Sequence, residues 1–313
     1  MKFLIIFWVL FICCVYTVHS QPIDSIITTS SLYNNIQILS SDSLQGRGTG
    51  TQGEHNAAVF IADKFRKAGL SFSAGNDSYF QHFFIQSGGK RSYTKNVIGI
   101  LPGTTTSEEV IIMCAHYDHL GSGIAPYGAV TTDFKDTIFN GANDNASGVA
   151  VLMEIANYYA AIRENKYTIL FIAFSAEELG LIGSKYLSEN MDKKLLKGVI
   201  NFDMLGRPFN KKQKSCMVIG ADANKIIRLL NSNLLPGAHF FVRDQFPLQH
   251  LNERMDHSSF SFCKNAFSIT AATDNDEFYH SPHDEINTLD FGFLTQTTKN
   301  IAIACKALIN KLN

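Results

Sequence analysis

Five short segments of the chain gather histidines and carboxylates. They are Ala115-His116-Tyr117-Asp118-His119-Leu120-Gly121, Asn140-Gly141-Ala142-Asn143-Asp144-Asn145-Ala146-Ser147-Gly148, Ala173-Phe174-Ser175-Ala176-Glu177-Glu178-Leu179-Gly180, Asn201-Phe202-Asp203-Met204-Leu205-Gly206 and Tyr279-His280-Ser281-Pro282-His283-Asp284. Imidazoles and carboxylates without a thiolate suit Zn²⁺ in a hydrolytic role. Taken singly, each segment is weak. A His-x-Asp pair is common by chance, and a Glu-Glu pair is ordinarily a solvated helix start favoured by the helix dipole. Asp203 could simply cap a turn. The ordered set carries the weight: His-x-Asp, Gly-Ala-x-Asp-x-Ala-Ser-Gly, Glu-Glu after an apolar run, Asp-Met, then His.

These residues need elements to bring them together. Short apolar runs at Asn96–Leu101, Val110–Cys114, Thr168–Phe174, Val199–Asp203, Cys216–Ile219 and Ala266–Thr270 read as strands, several of them continuous enough to be buried on both faces. Helical spacing marks Leu32–Ser43, Gly53–Gly69, Val149–Arg163 and Gly180–Ser188, with Gly69 as a C-cap. Alternating strands and helices predict an α/β sheet with helices on both faces. Ligands of such sheets bind beyond the carboxyl ends of strands, where His116, Glu177, Glu178 and Asp203 all fall. The Gly121–Asn140 connection is long and reads as a functional surface loop or an insertion.

Composition fits a globular protein: 313 residues, 45% hydrophobic, 18% charged, with a formal net charge of −1. That balance lacks the basic footprint of a nucleic-acid binder. Lys2 followed by the apolar stretch Phe3–Val18 reads as a signal peptide over residues 1–20, cut after Ser20, which predicts a secreted or periplasmic protein. A retained membrane anchor is the alternative. Cys114, Cys216, Cys263 and Cys305 remain beyond the signal, with no CxxC pair to suggest a metal knuckle. Residues 21–313 show no Pro- or Gly-rich linker, so one catalytic domain is expected.

The sequence resembles the co-catalytic zinc aminopeptidases of the bacterial secreted leucyl aminopeptidase type, a family that also contains glutaminyl cyclases. The likeness runs from Gly46-Arg47-Gly48-Thr49-Gly50 to Tyr279–Asp284 and is most specific over Ala115–Gly121, Asn140–Gly148 and Phe174–Ser184. It implies the zinc exopeptidase fold, one α/β domain with a mixed, mostly parallel central sheet. It further implies two zinc ions per chain, with His116 and Asp203 on one, Glu178 and His280 on the other, and Asp144 bridging both. Glu177 would be the general base, and Asp118 would orient His116. The Asp144–Asn145 peptide bond is expected to be cis. Two departures stand out: Asn143 and Asn145 flank a single Asp144, and His119 and His283 are additional imidazoles. The family's oxyanion-stabilising side chain has no counterpart evident in the sequence.

The expected partners are peptides with a free N-terminus, acted on by a monomer with no stable membrane span once the signal is removed and no nucleic-acid partner. Adjacent glutamates can divide the labour: Glu178 as ligand, Glu177 as the group that takes and returns the proton. The main alternative is a glutaminyl cyclase of the same fold with a single zinc. Carboxypeptidases and dipeptidases typically carry an extra domain, and a non-catalytic binding protein would be expected to have lost a ligand or the base.

Overall fold

The computed structural model describes residues 23–72, 78–87, 90–105, 108–130, 135–235, 237, 239–273 and 275–311. The signal expected over residues 1–20 lies outside these, as does part of the 121–140 connection. Helices are α1 (Ile23–Ile26), α2 (Thr29–Leu39), α3 (Gln52–Lys67), α4 (Gly148–Ile162), α5 (Ile182–Asn190), α6 (Ala223–Ser232) and α7 (Phe291–Lys311). Strands are β1 (Phe80–Ser87), β2 (Lys90–Leu101), β3 (Val110–His116), β4 (Gly121–Ser122), β5 (Ile138–Phe139), β6 (Thr168–Phe174), β7 (Leu196–Asp203), β8 (Cys216–Gly220), β9 (Phe241–Arg243) and β10 (Ala266–Thr270).

Eight strands make one sheet in the order β1-β2-β6-β3-β7-β10-β8-β9, and β4 pairs with β5 separately. The four central strands, β6, β3, β7 and β10, run parallel. Antiparallel pairings join β1 to β2, β2 to β6 and β8 to β10. The mixed, mostly parallel sheet expected from the sequence is therefore present. Each central strand buries both faces, which is why it reads as a continuous apolar run. Ile111, Met113 and Ala115 of β3 face the core shared with α4 and α7, while Ile112 and Cys114 face the one built with Leu187 of α5 and Phe260.

Helix α4 packs against β3, β6 and β7 and is covered in turn by α2 and α7. Twelve of its fifteen residues are buried, so it is apolar almost all round, as a helix inside a layered core must be. Helix α3 starts at Thr51, whose hydroxyl accepts the Glu54 N–H at 3.3 Å, and ends before Gly69 at φ +78°.

The structure adds elements that the apolar runs did not mark. Strand β1 buries Phe83 and Ile85 but leaves Phe84 44% exposed, and a half-solvated hairpin strand has no continuous apolar signature. In α7, buried Thr297 and Thr298 interrupt the apolar spacing of Leu294, Ile301, Cys305 and Leu308. The four cysteines of residues 23–311 are buried and unbridged. Among the described residues no helix is long and apolar enough to cross a membrane.

Candidate metal centre

Parallel strands open their carboxyl ends at one edge, and register does the rest. Cys114 of β3 lies beside Asn201 of β7, so two residues further on His116 comes level with Asp203. His116 also lies beside Phe174, the last residue of β6, after which the chain turns through Ser175 and Ala176 into Glu177 and Glu178. Asp144 arrives from a different element, the irregular turn Ala142–Ser147 that leads into α4.

The Asp144–Asn145 peptide bond is cis, as expected. Both flanking asparagines tie this turn to the chain leaving β7. Asn143 Oδ1 accepts the Gly206 N–H at 2.8 Å, Asn145 Oδ1 accepts the Met204 N–H at 3.1 Å, and Asn145 Nδ2 donates to Phe202 O at 2.9 Å. The Asp284 carboxylate accepts the N–H groups of Asn143 and Asp144, the latter at 2.9 Å, and pairs with Arg207 at 3.0 Å.

The result is a cluster with two corners. Asp144 Oδ1 lies 3.3 Å from His116 Nε2, which is itself 3.7 Å from Asp203 Oδ1. Asp144 Oδ2 lies 3.3 Å from His280 Nε2, which is 3.2 Å from Glu178 Oε2. A tetrahedral ion with bonds of about 2.0–2.2 Å separates its donors by about 3.3–3.6 Å, and the four spacings here, 3.2–3.7 Å, lie close to that range. His116, Asp144 and Glu178 each offer a ligand atom within 4.8 Å of one another. The second ring nitrogens are occupied as metal-ligating histidines require. His280 Nδ1 faces Gly128 O at 2.8 Å, and His116 Nδ1 faces Asp118 O at 3.2 Å.

Charge supports a cation here. Burial opposes protonation of His280, yet the Asp144 and Glu178 carboxylates push it up to about 11. Burial raises Asp144 while His116 and His280 more than offset this, holding it well below the usual carboxylate range. A buried cluster that draws protons onto its imidazoles carries negative charge a divalent ion would balance. Burial, with Glu178 adding to it, pushes Glu177 well above the carboxylate range.

Asp118, expected to orient His116, meets it with its backbone carbonyl rather than its carboxylate. Its carboxylate oxygen is 3.9 Å from His116 Nδ1, farther than its own backbone carbonyl. The carboxylate instead accepts the Glu177 N–H at 3.1 Å, the Glu178 N–H at 3.4 Å and the Thr49 hydroxyl at 2.8 Å. It therefore holds the double-glutamate turn against the end of β3. His283 is exposed and stays out of the cluster, whereas His280 enters it.

Four further residues of the site carried no assigned role in the sequence reading. Asp284 and Arg207 brace the Asp144 turn as described. Tyr279 stacks on His280 with ring centres 3.8 Å apart. Its adjacency to a proposed ligand was the signal. Arg47, inside the Gly-Arg-Gly-Thr-Gly segment, is 1% exposed and donates to four carbonyls: Tyr117 at 2.8 Å, Leu39 at 2.5 Å, Asn140 at 2.7 Å and Gly141 at 3.0 Å. One guanidinium thus staples the end of β3 to the approach of the Asp144 turn. Gly46 makes room beside it at φ +66°, since a Cβ there would lie 2.2 Å from Gly121 O. Arg47→Leu removes the shared donor from these carbonyls, of which Gly141 O keeps the Ala146 N–H at 3.2 Å, and urea unfolding is expected to show a loss of about 3–5 kcal/mol. A loss below about 1 kcal/mol would deny the staple its structural weight.

The cluster opens into a cleft of about 480 Å³ whose lining includes Glu177, Tyr279 and Arg254 and the apolar group Phe246, Leu251 and Met255. Residues 96–304, two thirds of the chain, match the family model for peptidase family M28. The chain belongs to peptidase family M28. Among sequence relatives of this M28 chain, aminopeptidase YwaD of Bacillus subtilis is 35% identical over 122 residues, covering 38% of the chain and 23% of YwaD. The chain spans less than half the length of the curated relatives it matches. Two solved structures share the fold. BSAP, a zinc aminopeptidase from Bacillus subtilis, aligns with a TM-score of 0.72 at 17% identity, covering 91% of this chain and 96% of BSAP. Porphyromonas gingivalis glutaminyl cyclase aligns with a TM-score of 0.71 at 18% identity, covering 90% and 99%.

Proposed function

We propose that this M28 chain is an exported zinc aminopeptidase that removes N-terminal residues from peptides at a two-zinc centre. One observation carries the reading: the two oxygens of Asp144 face separate imidazole–carboxylate pairs, His116 with Asp203 and His280 with Glu178. That is the donor arrangement two adjacent cations sharing one carboxylate would need. Zinc held there supplies Lewis acidity toward water and the scissile carbonyl at neutral pH.

The chain's own groups do the rest. Glu177, in the cleft but outside both donor pairs, takes the proton from the attacking water and returns it to the leaving amine. Asp118 fixes Glu177 through its backbone N–H. Tyr279 lines the cleft, and its hydroxyl oxygen accepts from Arg254 at 2.9 Å, so its own proton is available to a developing oxyanion. The first side chain of the substrate fits the apolar end of the cleft at Phe246, Leu251 and Met255. Residues 1–20 direct export, with cleavage after Ser20.

A glutaminyl cyclase shares this fold, and the second reading is such an enzyme working with a single zinc. The His116–Asp203 corner, a complete second set of donors, favours the peptidase. Leucine amide and a glutaminyl dipeptide, assayed beside measured zinc content, separate the two. Free leucine and free glutamine are expected, with two zinc ions per chain. Ammonia from the glutaminyl peptide, without release of its first residue, would establish the cyclase instead.

A further inference from the structure

His119 is a buried imidazole beside the donors that the proposed chemistry leaves unused. Its Nδ1 lies 2.8 Å from Glu178 Oε1, while the other oxygen, Oε2, lies 3.2 Å from His280 Nε2. The residue is anchored through its backbone and packed on one face, while Nε2 is buried with no hydrogen-bond partner among the described residues. Its backbone N–H donates to Arg47 O at 3.3 Å, and its residue bridges Gly48. Its face rests on Gly141, where φ is +53° and a Cβ would come within 2.5 Å of His119 Cδ2. The Gly-Arg-Gly segment and the Asn-Gly-Ala segment therefore jointly build a seat for this one ring.

We infer that His119 is a positioning residue that holds Glu178 as a one-oxygen zinc ligand. The inference rests on the two-zinc reading above. A carboxylate that ligates a cation is ionised and only accepts hydrogen bonds, so His119 Nδ1 carries the hydrogen. With that N–H on Oε1, the carboxylate is oriented to present Oε2 to the ion. Single-oxygen ligation matters because a catalytic zinc keeps a position open for substrate. A Glu178 free to rotate could close both oxygens onto the ion and fill that position. Partners of this kind typically alter metal affinity about 10–100-fold when removed.

Two polar variants test the donor itself. The amide nitrogen of H119N falls where Nδ1 stood, whereas that of H119Q falls where Nε2 stood, so only H119N keeps a donor on Glu178. Zinc affinities are read for native protein and both variants by competition with a chelator, together with melting temperatures of the metal-free forms and kcat and KM. H119N is expected within about threefold of native affinity, and H119Q about 10–100-fold weaker at one of two sites, with KM raised. Equal metal-free melting temperatures for the two variants support the positioning role. H119Q binding both ions as native, H119N weakened as much as H119Q, or zinc loss that tracks a lost fold would each overturn it. Native protein binding fewer than two zinc ions would overturn the two-zinc reading, visible before any variant is compared, and this inference with it.

Discussion

Glu177→Gln is expected to lower kcat by about 10²–10⁴-fold while leaving both zinc ions and the melting temperature unchanged. The size follows from what the substitution removes. Glutamine keeps the length and shape of the side chain but cannot take a proton. Its backbone N–H remains free to donate to Asp118, as Glu177 does at 3.1 Å, so the turn and Glu178 beside it stay in place. The donor pairs around Asp144 do not include Glu177, which is why metal content should survive. Burial pushes the Glu177 carboxyl well above the usual range, the direction that suits a group asked to hold a proton between two steps. Steady-state kinetics with metal analysis on the same preparation is the check. Near-native kcat in the zinc-loaded variant would remove Glu177 from the chemistry and send the search for a base elsewhere in the cleft.

Asp144→Asn should have the larger effect on metal. It replaces one of the two oxygens, each of which faces its own corner, with an amide nitrogen that has no lone pair to offer, and removes the negative charge between His116 and His280. Zinc binding at both corners weakens together, and turnover falls by more than about 10³-fold. Stability reports the same loss by an independent route. Free zinc at a hundred times its Kd stabilises a folded protein by about 2.7 kcal/mol per site, so native protein should melt lower in chelator. The variant should melt at one temperature with or without chelator. An Asp144→Asn protein that still holds two zinc ions with native affinity would sink the shared-carboxylate arrangement. The Asp284 contacts to the Asn143 and Asp144 N–H groups do not depend on the substituted side chain, so the turn itself should persist.

Legibility differed by element for physical reasons. Strands β3, β6 and β7 announce themselves because both faces are buried, and their carboxyl ends carry His116, the double glutamate and Asp203. Strand β8 is equally apolar, yet nothing in Cys216–Ile219 tells that it runs antiparallel to β10. Direction is a property of the pairing, and no side chain encodes it locally. The hairpin of β1 and β2 is half solvated, and polar residues such as Lys90, Arg91 and Ser92 mask its period.

The candidate metal centre divides along the same line. Sequence alone determined which residue types stand in the five segments and in what order, and the family resemblance those segments carry named His116, Asp144, Glu177, Glu178, Asp203 and His280 as one set. Tertiary structure decided how they are held: which oxygen of Asp144 faces which imidazole, and that the Gly128 and Asp118 carbonyls occupy the second ring nitrogens. It also decided that the Asp118 carboxylate serves the glutamate turn, and that Arg47 gathers carbonyls from distant segments. The reason is chemical. Every residue has a carbonyl and every residue but proline an N–H, so a partner drawn from the backbone leaves no mark in the sequence, and only the folded chain shows which one was used.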